Sequence, residues 1–436
     1  MKKPAKSGTG KAPPTLCAIE KSLEIPALHE SWQPRWDESQ AAYPGRRMVL
    51  FDDAFIREAN DVMQLPGEVL AQFQEALALV RSREDLCRLL WHGYYLLFVA
   101  PTPKETSEII IANWPLLPRA MGKRTGMSGL IALLLALPRT RAFYRERGIP
   151  EQVLRETFTD ILVWMQHYYR KHGVWGLGET CWLVHHFNCN VFSVGRLQYT
   201  IAPLPNHIRV YRSRKTGKVV ALSGGGDTYR SDGQVNGTNG VHDPLGVWVS
   251  TFAAEGQRVT GNPILPSGKA VNRAVTLSLQ EWALQLQGGD TIFEVHVPEG
   301  SKLLHEECIR SYHDALAFFA RHFPERPARG FATHTWLFDP QLHNLLSIEK
   351  SNILKFQLGY YLVPILAEDA QAVERVYGFG LTTVDVPVAR RDTTLRRTMA
   401  EYIMAGNRMR SVAGFMLLDD VDKTYGYYCD NFAGSL

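Results

Sequence analysis

The apolar residues of this chain change period near residue 175, and that change limits what each part can fold into. Upstream, segments such as GEVLAQFQEALALV, LCRLLWHGYYLLFV, ETSEIIIANWPLL and PEQVLRETFTDILVWMQHYYRKHG repeat apolar side chains at helical spacing between Pro and Gly breaks. Downstream of WGLGETCWLVHHF, alternating and β-branched runs take over in VFSVGRLQYTIA, HIRVYRSRKTGKVVAL, AVTLSLQEWALQL and TIFEVHVP. The expected organisation is a helical N-terminal domain over residues 26–174 and a sheet-rich domain over 175–436, an α+β fold. The length of 436 residues, more than one core usually organises, agrees with the division. Trp91, Tyr94, Tyr95, Trp164, Tyr168 and Tyr169 read as core residues of the helical part.

Lysine plus arginine outnumber the acids by 48 to 44, but Lys2, Lys3, Lys6 and Lys11 account for the surplus. The opening MKKPAKSGTGKAPP has no apolar core, so residues 1–25 read as a disordered basic tail rather than a secretory signal. The remaining body is formally neutral, unlike a nucleic-acid-binding protein. The aliphatic stretch LIALLLALP is too short to span a bilayer. Six cysteines without a CxxC pair suit a reducing compartment, so the chain is expected in the cytoplasm, with neither nucleic acid nor membrane as partner.

Within the second part, Lys215-Thr216-Gly217-Lys218 is turn chemistry between two strands, which predicts a hairpin. The glycine- and asparagine-rich SGGGDTYRSDGQVNGTNGVHDP that follows suits either a substrate-binding loop, with Asn236 and Asn239 as contacts, or a surface excursion. TIFEVHVPEGSKL then predicts a strand over Thr291 to Val297, a sharp loop and a helix that ends near HFPERP. Such a joint is either purely architectural or an anion site on the free amides of the helix start. GFATHTWLF predicts another strand, DPQLHNLL a short helical turn and SNILKFQLGYYLVPI a final strand.

Cys181, His185, His186 and Cys189 place four metal-capable side chains close together, but with no second cysteine pair no metal site is assigned. There is no GxSxG for a serine hydrolase and no GxxxxGK[ST] for a nucleotide phosphatase.

The order strand, loop, helix, strand, short helix, strand is that of the cofactor-binding half of the GNAT acyltransferase fold. The stretches GVWGLGETCWLVHHF, VFSVGRLQY, DGQVNGTNGVHDP, VHVPEGSKL, THTWLFDPQL with SNILKFQ, and ARRDTTLRRTMAEYIMAGNRMRSVAGFML resemble a family of bacterial two-domain N-acyltransferases. The likeness runs from about residue 150 to 418. It implies a helical N-terminal domain, a GNAT-like mixed sheet with flanking helices, and acyl-CoA or acetyl-CoA as co-substrate without a metal. The acceptor it implies is a small-molecule amine, expected between the two domains because domain interfaces favour clefts.

By the same resemblance Val297, Pro298, Gly300, Ser301, Lys302 and Leu303 form the loop that takes the CoA pyrophosphate. The match departs from the wider superfamily, whose loops carry an Arg or Gln and two closely spaced glycines, whereas PEGSKL has only Gly300. Glu299, Glu306 and Glu307 crowd the helix start and would repel a pyrophosphate, an effect that Lys302 and Ser301 offset in part. Glu294 and His296, two apart on one strand, share a face near the thioester. His296 is the candidate base, with Glu294 as base or orienting group. The plainer alternative is a strand-end histidine bonded beside a surface glutamate. His334, Ser351 and Asn352 are further candidates around the leaving thiolate. The tyrosine often found there as general acid is missing, and Tyr360 or Tyr361 replaces it only if the strand brings one back. The alternative function is a non-catalytic GNAT-like ligand-binding or scaffold protein that has lost a good phosphate loop.

Overall fold

The computed structural model describes residues 13–100 and 102–432. The four N-terminal lysines lie outside them. The expected disordered tail does not extend to residue 25: Leu16–Leu23 is a helix, opened by the Thr15 side chain accepting from the Ala18 amide. The chain divides into two compact units, Met1–Phe192 and Ser193–Leu436. The division falls later than residue 174 because Thr180–Phe187 is one more helix, burying Leu183, Val184, His186 and Phe187.

The first unit is built of helices. Its longest, Glu151–His172, carries Glu151 in the first turn and Arg170, Lys171 and His172 in the last, each complementing the helix dipole. Leu154, Phe158, Ile161 and Met165 are buried at helical spacing, and Gly173 ends the helix in the left-handed conformation at φ 68°. The helical run Pro118–Glu146 is long and apolar enough to cross a membrane, yet 72% of its most apolar window is buried in the fold. It contains LIALLLALP, which is therefore part of a longer helical run than its aliphatic core suggests.

A buried histidine ties this unit together. His92 Nε2 donates to the Trp32 carbonyl at 2.8 Å, and Nδ1 lies 2.7 Å from the Ser39 hydroxyl. Burial pulls its pKa down to about 4, against a smaller opposing effect of the Trp32 carbonyl.

The second unit is organised around a six-stranded sheet. Its strands, numbered here along the chain, are β1 (Phe192–Val194), β2 (Leu197–Pro203), β3 (Thr291–His296), β4 (Gly330–Thr335), β5 (Tyr361–Val363) and β6 (Val412–Leu417), in the spatial order β1-β2-β3-β4-β6-β5. The β3–β4 pair is parallel, and β2–β3, β4–β6 and β5–β6 are antiparallel. The parallel pair is joined by the helix His305–His322, called here the site helix, which supplies the crossover such a pair needs. Phe293, Phe319 and Phe331 form its seam with the sheet.

The residues between β2 and β3 build a second, five-stranded sheet. It includes the expected hairpin Ile208–Ser213 with Val219–Ser223, whose turn uses Gly217 at φ 72°. Tyr211, Leu222, Val259, Leu277 and Trp282 belong to its own apolar cluster. One expected strand is corrected. SNILKFQLGYYLVPI forms the helix Asn352–Gln357, because Ser351 caps it by accepting from the Leu354 amide at 3.2 Å, and only Tyr361–Val363 is extended.

β6 is held close on three sides at Gly414, which lies opposite Thr333 of β4 and Leu362 of β5. A Cβ there would lie 2.7 Å from Phe338 Cε2 and 3.2 Å from Tyr360 Cβ. Gly414→Ala is expected to destabilise the second unit by about 1–3 kcal/mol, lowering its melting midpoint by roughly 2–10 °C. Gly414→Ala combined with Phe338→Leu should recover part of that loss. A melting curve unchanged by Gly414→Ala would show that the contact has no energetic weight.

For His92 the sign is fixed by a folded pKa of about 4 lying below the ordinary imidazole value of about 6.5. The unfolded chain then binds more protons between those values, so this contribution is full above pH 6.5 and is lost as pH falls toward 4. The difference is on the order of 3 kcal/mol. Urea unfolding followed by helical circular dichroism should show a lower midpoint at pH 4.5 than at pH 7, and His92→Gln should narrow that gap.

Candidate active site

Because side chains alternate along β3, Phe293 and Val295 turn toward the core while Glu294 and His296 turn to the opposite face. Register adds the neighbours: Thr200 of β2 lies directly across from Glu294, and Ala332 of β4 lies across on the other side. His334, two residues beyond Ala332, therefore shares the face of Glu294. Paired residues between β3 and β4 are confined to Phe293 with Phe331 and Glu294 with Ala332. His296 and His334 lie beyond this pairing, toward the C-terminal ends of both strands.

The three side chains meet around one carboxylate. His296 Nε2 is 3.8 Å from Glu294 Oε2, and His334 Nδ1 is 3.8 Å from Glu294 Oε1. These separations exceed hydrogen-bond length but lie within ion-pair range. Thr200 Oγ1 donates to Glu294 Oε2 at 3.1 Å and lies 3.4 Å from His296 Nε2. Glu294 and His296 are about a quarter exposed, at 26% and 27%, whereas His334 is 56% exposed. An imidazole placed this way can take up a proton, and the carboxylate beside it offsets the resulting charge.

Residues 297–304 follow directly. Gly300 has φ 133°, a conformation that disfavours other residues although there is open space around it. Leu303 is buried and anchors the loop. The site helix starts after Leu304 without a side-chain cap, which leaves the amides of its first turn open. Beside this joint lies a cavity of about 300 Å³ in which Arg196 and Arg310 face Glu307 and Asp314. Its lining therefore carries two cationic and two anionic side chains.

Residues 191–416 match the family model of the GNAT-like C-terminal domain, and residues 54–189 that of the N-acyltransferase N-terminal domain. The chain belongs to this two-domain acyltransferase family. Solved structures share the fold over 92% of this chain. One is a mutant acyltransferase in complex with octanoyl-CoA, at 20% identity, 98% coverage of that chain and a TM-score of 0.61. An acyltransferase with decanoyl-CoA and teicoplanin gives 20%, 98% and 0.60, and one with CoA and 10C-teicoplanin gives 20%, 98% and 0.61. No curated protein matches the sequence significantly.

Four of the candidate residues of this acyltransferase hold structural positions. Asn236 Oδ1 accepts from the Asp243 amide at 3.0 Å, and Asn239 Nδ2 donates to the Met409 carbonyl at 2.8 Å. Asn239 also sits at φ 56°, which asparagine tolerates better than most residues. Both asparagines shape the glycine-rich loop, Ser351 is a helix cap, and Asn352 begins that helix.

The tyrosines considered as replacement acids are locked in the core. Tyr360 and Tyr312 join hydroxyls at 2.8 Å, and burial pushes both far above the ordinary phenol range. The Tyr361 hydroxyl donates to the Ile264 carbonyl and accepts from the Ala221 amide at 3.3 Å. Among the set-aside metal candidates, His186 is 3.0 Å from Asp160 and 3.1 Å from the Trp182 carbonyl. Among the described residues no three His, Cys, Asp or Glu side chains converge as a metal group.

Thr200 was absent from the sequence candidates. Its only sequence signal is the alternation of LQYTIA, and it becomes meaningful once the β2–β3 register is known. The acyltransferase should separate caps from site residues by experiment. Ser351→Ala is expected to cost about 0.5–2 kcal/mol of stability and leave the rate of acyl transfer unchanged. A large loss of rate with an unaltered melting curve would return Ser351 to the site.

Proposed function

We propose that this protein is an acyl-CoA-dependent N-acyltransferase that passes an acyl chain to the amine of a small-molecule acceptor. The observation that carries the reading is the Thr200–Glu294–His296–His334 cluster, set where the β3–β4 pairing ends and immediately before a helix start with open amides. The donor's diphosphate lies on the amides of residues 297–303 and the first turn of the site helix. Val297, Pro298, Gly300, Ser301, Lys302 and Leu303 line its path, and the thioester lies against the parting ends of β3 and β4. Octanoyl- and decanoyl-CoA in the similar structures support a medium-length chain over acetyl. Teicoplanin, bound in one of them, supports a small-molecule acceptor.

In this reading His296 takes the proton of the acceptor amine, directly or through one water. The amine nitrogen bonds to the thioester carbonyl carbon, and the carbon–sulfur bond breaks as the tetrahedral intermediate collapses. Glu294, held by Thr200, orients His296 and offsets its positive charge. His334, on the far side of the same carboxylate and more exposed, returns a proton to the departing thiolate. No covalent enzyme intermediate is needed, so positioning and proton transfer supply the rate.

His296→Gln keeps approximate size and hydrogen bonding but cannot titrate, so kcat should fall by roughly a hundredfold or more while folding survives. The limb that His296 contributes to the pH profile of kcat/KM should vanish with it. Thr200→Val should lower kcat by about tenfold through a misplaced carboxylate. Release of CoA thiol in the presence of an amine acceptor measures both. Full kcat in His296→Gln across the pH range would make His296 structural and move the base to Glu294 or His334.

A further inference from the structure

The loop PEGSKL lacks the arginine and paired glycines of other such loops, yet its carbonyls converge on a cation from elsewhere in the chain. Arg196, in the turn between β1 and β2, donates from Nε to the Lys302 carbonyl at 3.1 Å. Its Nη1 donates to the Pro298 carbonyl at 3.2 Å and its Nη2 to the Ser301 carbonyl at 2.7 Å. Within one trans peptide unit the C=O and N–H point in opposite directions. Drawing these three carbonyls onto the guanidinium therefore aims the amides of Glu299, Lys302 and Leu303 away from it. The Lys302 and Leu303 amides have no acceptor among the described residues, and they lead into the open amides of the site helix.

The turn that carries Arg196 is itself fastened. Gly195 has φ 66°, and a Cβ there would lie 3.2 Å from Ser311 Cβ and 3.3 Å from its Cα, so the turn presses on the second turn of the site helix. The buried Ser311 hydroxyl donates to the Val194 carbonyl, accepts from the Leu197 amide at 3.2 Å and lies 2.8 Å from the Tyr199 hydroxyl. Its one donor and both acceptor positions are thus used. Helix fixes turn, turn fixes Arg196, and Arg196 fixes the loop that opens the same helix.

We infer that Arg196 is the positioning residue of the donor loop, holding from the neighbouring hairpin the array of amides that receives the diphosphate of a CoA thioester. The inference rests on the acyl-CoA reading above. Arg196 acts through the loop, with three of its five N–H donors on loop carbonyls, one from each nitrogen, and so compensates for the arginine and second glycine that PEGSKL lacks.

Arg196→Met removes the donors and keeps much of the stem, and Arg196→Lys keeps the charge with fewer bonds. Two donors of the same acyl chain separate the outcomes: acyl-CoA, and the S-acyl-N-acetylcysteamine thioester, which has no diphosphate. For Arg196→Met, the CoA Kd by calorimetry and the KM for acyl-CoA should rise about tenfold or more, with kcat/KM for the truncated donor changed by less than about twofold. Arg196→Lys should recover part of the loss. Unchanged CoA affinity in Arg196→Met, or equal losses with both donors, overturns the inference. Failure of the unsubstituted protein to bind CoA overturns the acyl-CoA reading itself, a result distinct from either.

Discussion

Phe293 lies nearly flat against Phe319 of the site helix at 4.4 Å, and because side chains alternate along a strand, that contact decides where Glu294 and His296 point. Tyr199 and Phe331, on the strands to either side, close the same apolar seam. A one-residue slip of β3 would expose Phe293 and drive a carboxylate toward the core, at a cost of several kcal/mol for an unpaired charge. The register that brings Thr200 opposite Glu294 is thus enforced from the face that takes no part in the chemistry. Gly414 extends this control to the far side of β4, where Phe338 and Tyr360 leave no room for a side chain.

The donor loop solves a different problem, presenting positive potential where the sequence supplies acids. Glu306 and Glu307 stand in the first turn of the site helix, where they stabilise the dipole and oppose an anion. Arg196 places three of its N–H groups on loop carbonyls. The positive surface is then made of peptide amides, whose partial charges are fixed in direction and need no side-chain ordering on binding. In the proposed reading, such an array would take a diphosphate by its geometry without a large net charge, which suits a co-substrate whose product must also leave.

The sequence made legible whatever depends on local period. The helical first part, the hairpin around Gly217, the strand and helix on either side of PEGSKL, and the shared face of Glu294 and His296 all follow from spacing along one segment. His334 required the parallel neighbour to be guessed from chain order. Thr200 and Arg196 were hidden because each acts across strands or through a turn, and register is not written in either segment alone. The candidate polar residues of the glycine-rich loop and of the helix start share one physical trait. Asn236, Asn239 and Ser351 carry short polar side chains that bond readily to nearby backbone, and here they serve a turn, a left-handed residue and a helix cap. The helix Asn352–Gln357 was read as strand because its six residues are too few to display a helical period, while the cap that starts it is a single serine.

The buried tyrosines bear on how the proposed chemistry is shared. The departing group is a thiol, whose pKa near 8.5 makes its thiolate a tolerable leaving group near neutral pH. An acceptor amine near 10.4 is mostly protonated there, so deprotonation is the more demanding transfer. A site under those demands gains more from a well-held base than from a dedicated acid. The two histidines lie equally far from Glu294, at 3.8 Å, and differ in that His296 also has the Thr200 hydroxyl 3.4 Å away and is the less exposed. Tyr360 bonds instead to the Tyr312 hydroxyl, closing the core between the site helix and β5. In the proposed reading, the absence of a tyrosine acid and the placing of His296 beside Thr200 and Glu294 then fit one arrangement, in which the harder proton transfer falls to the less exposed histidine.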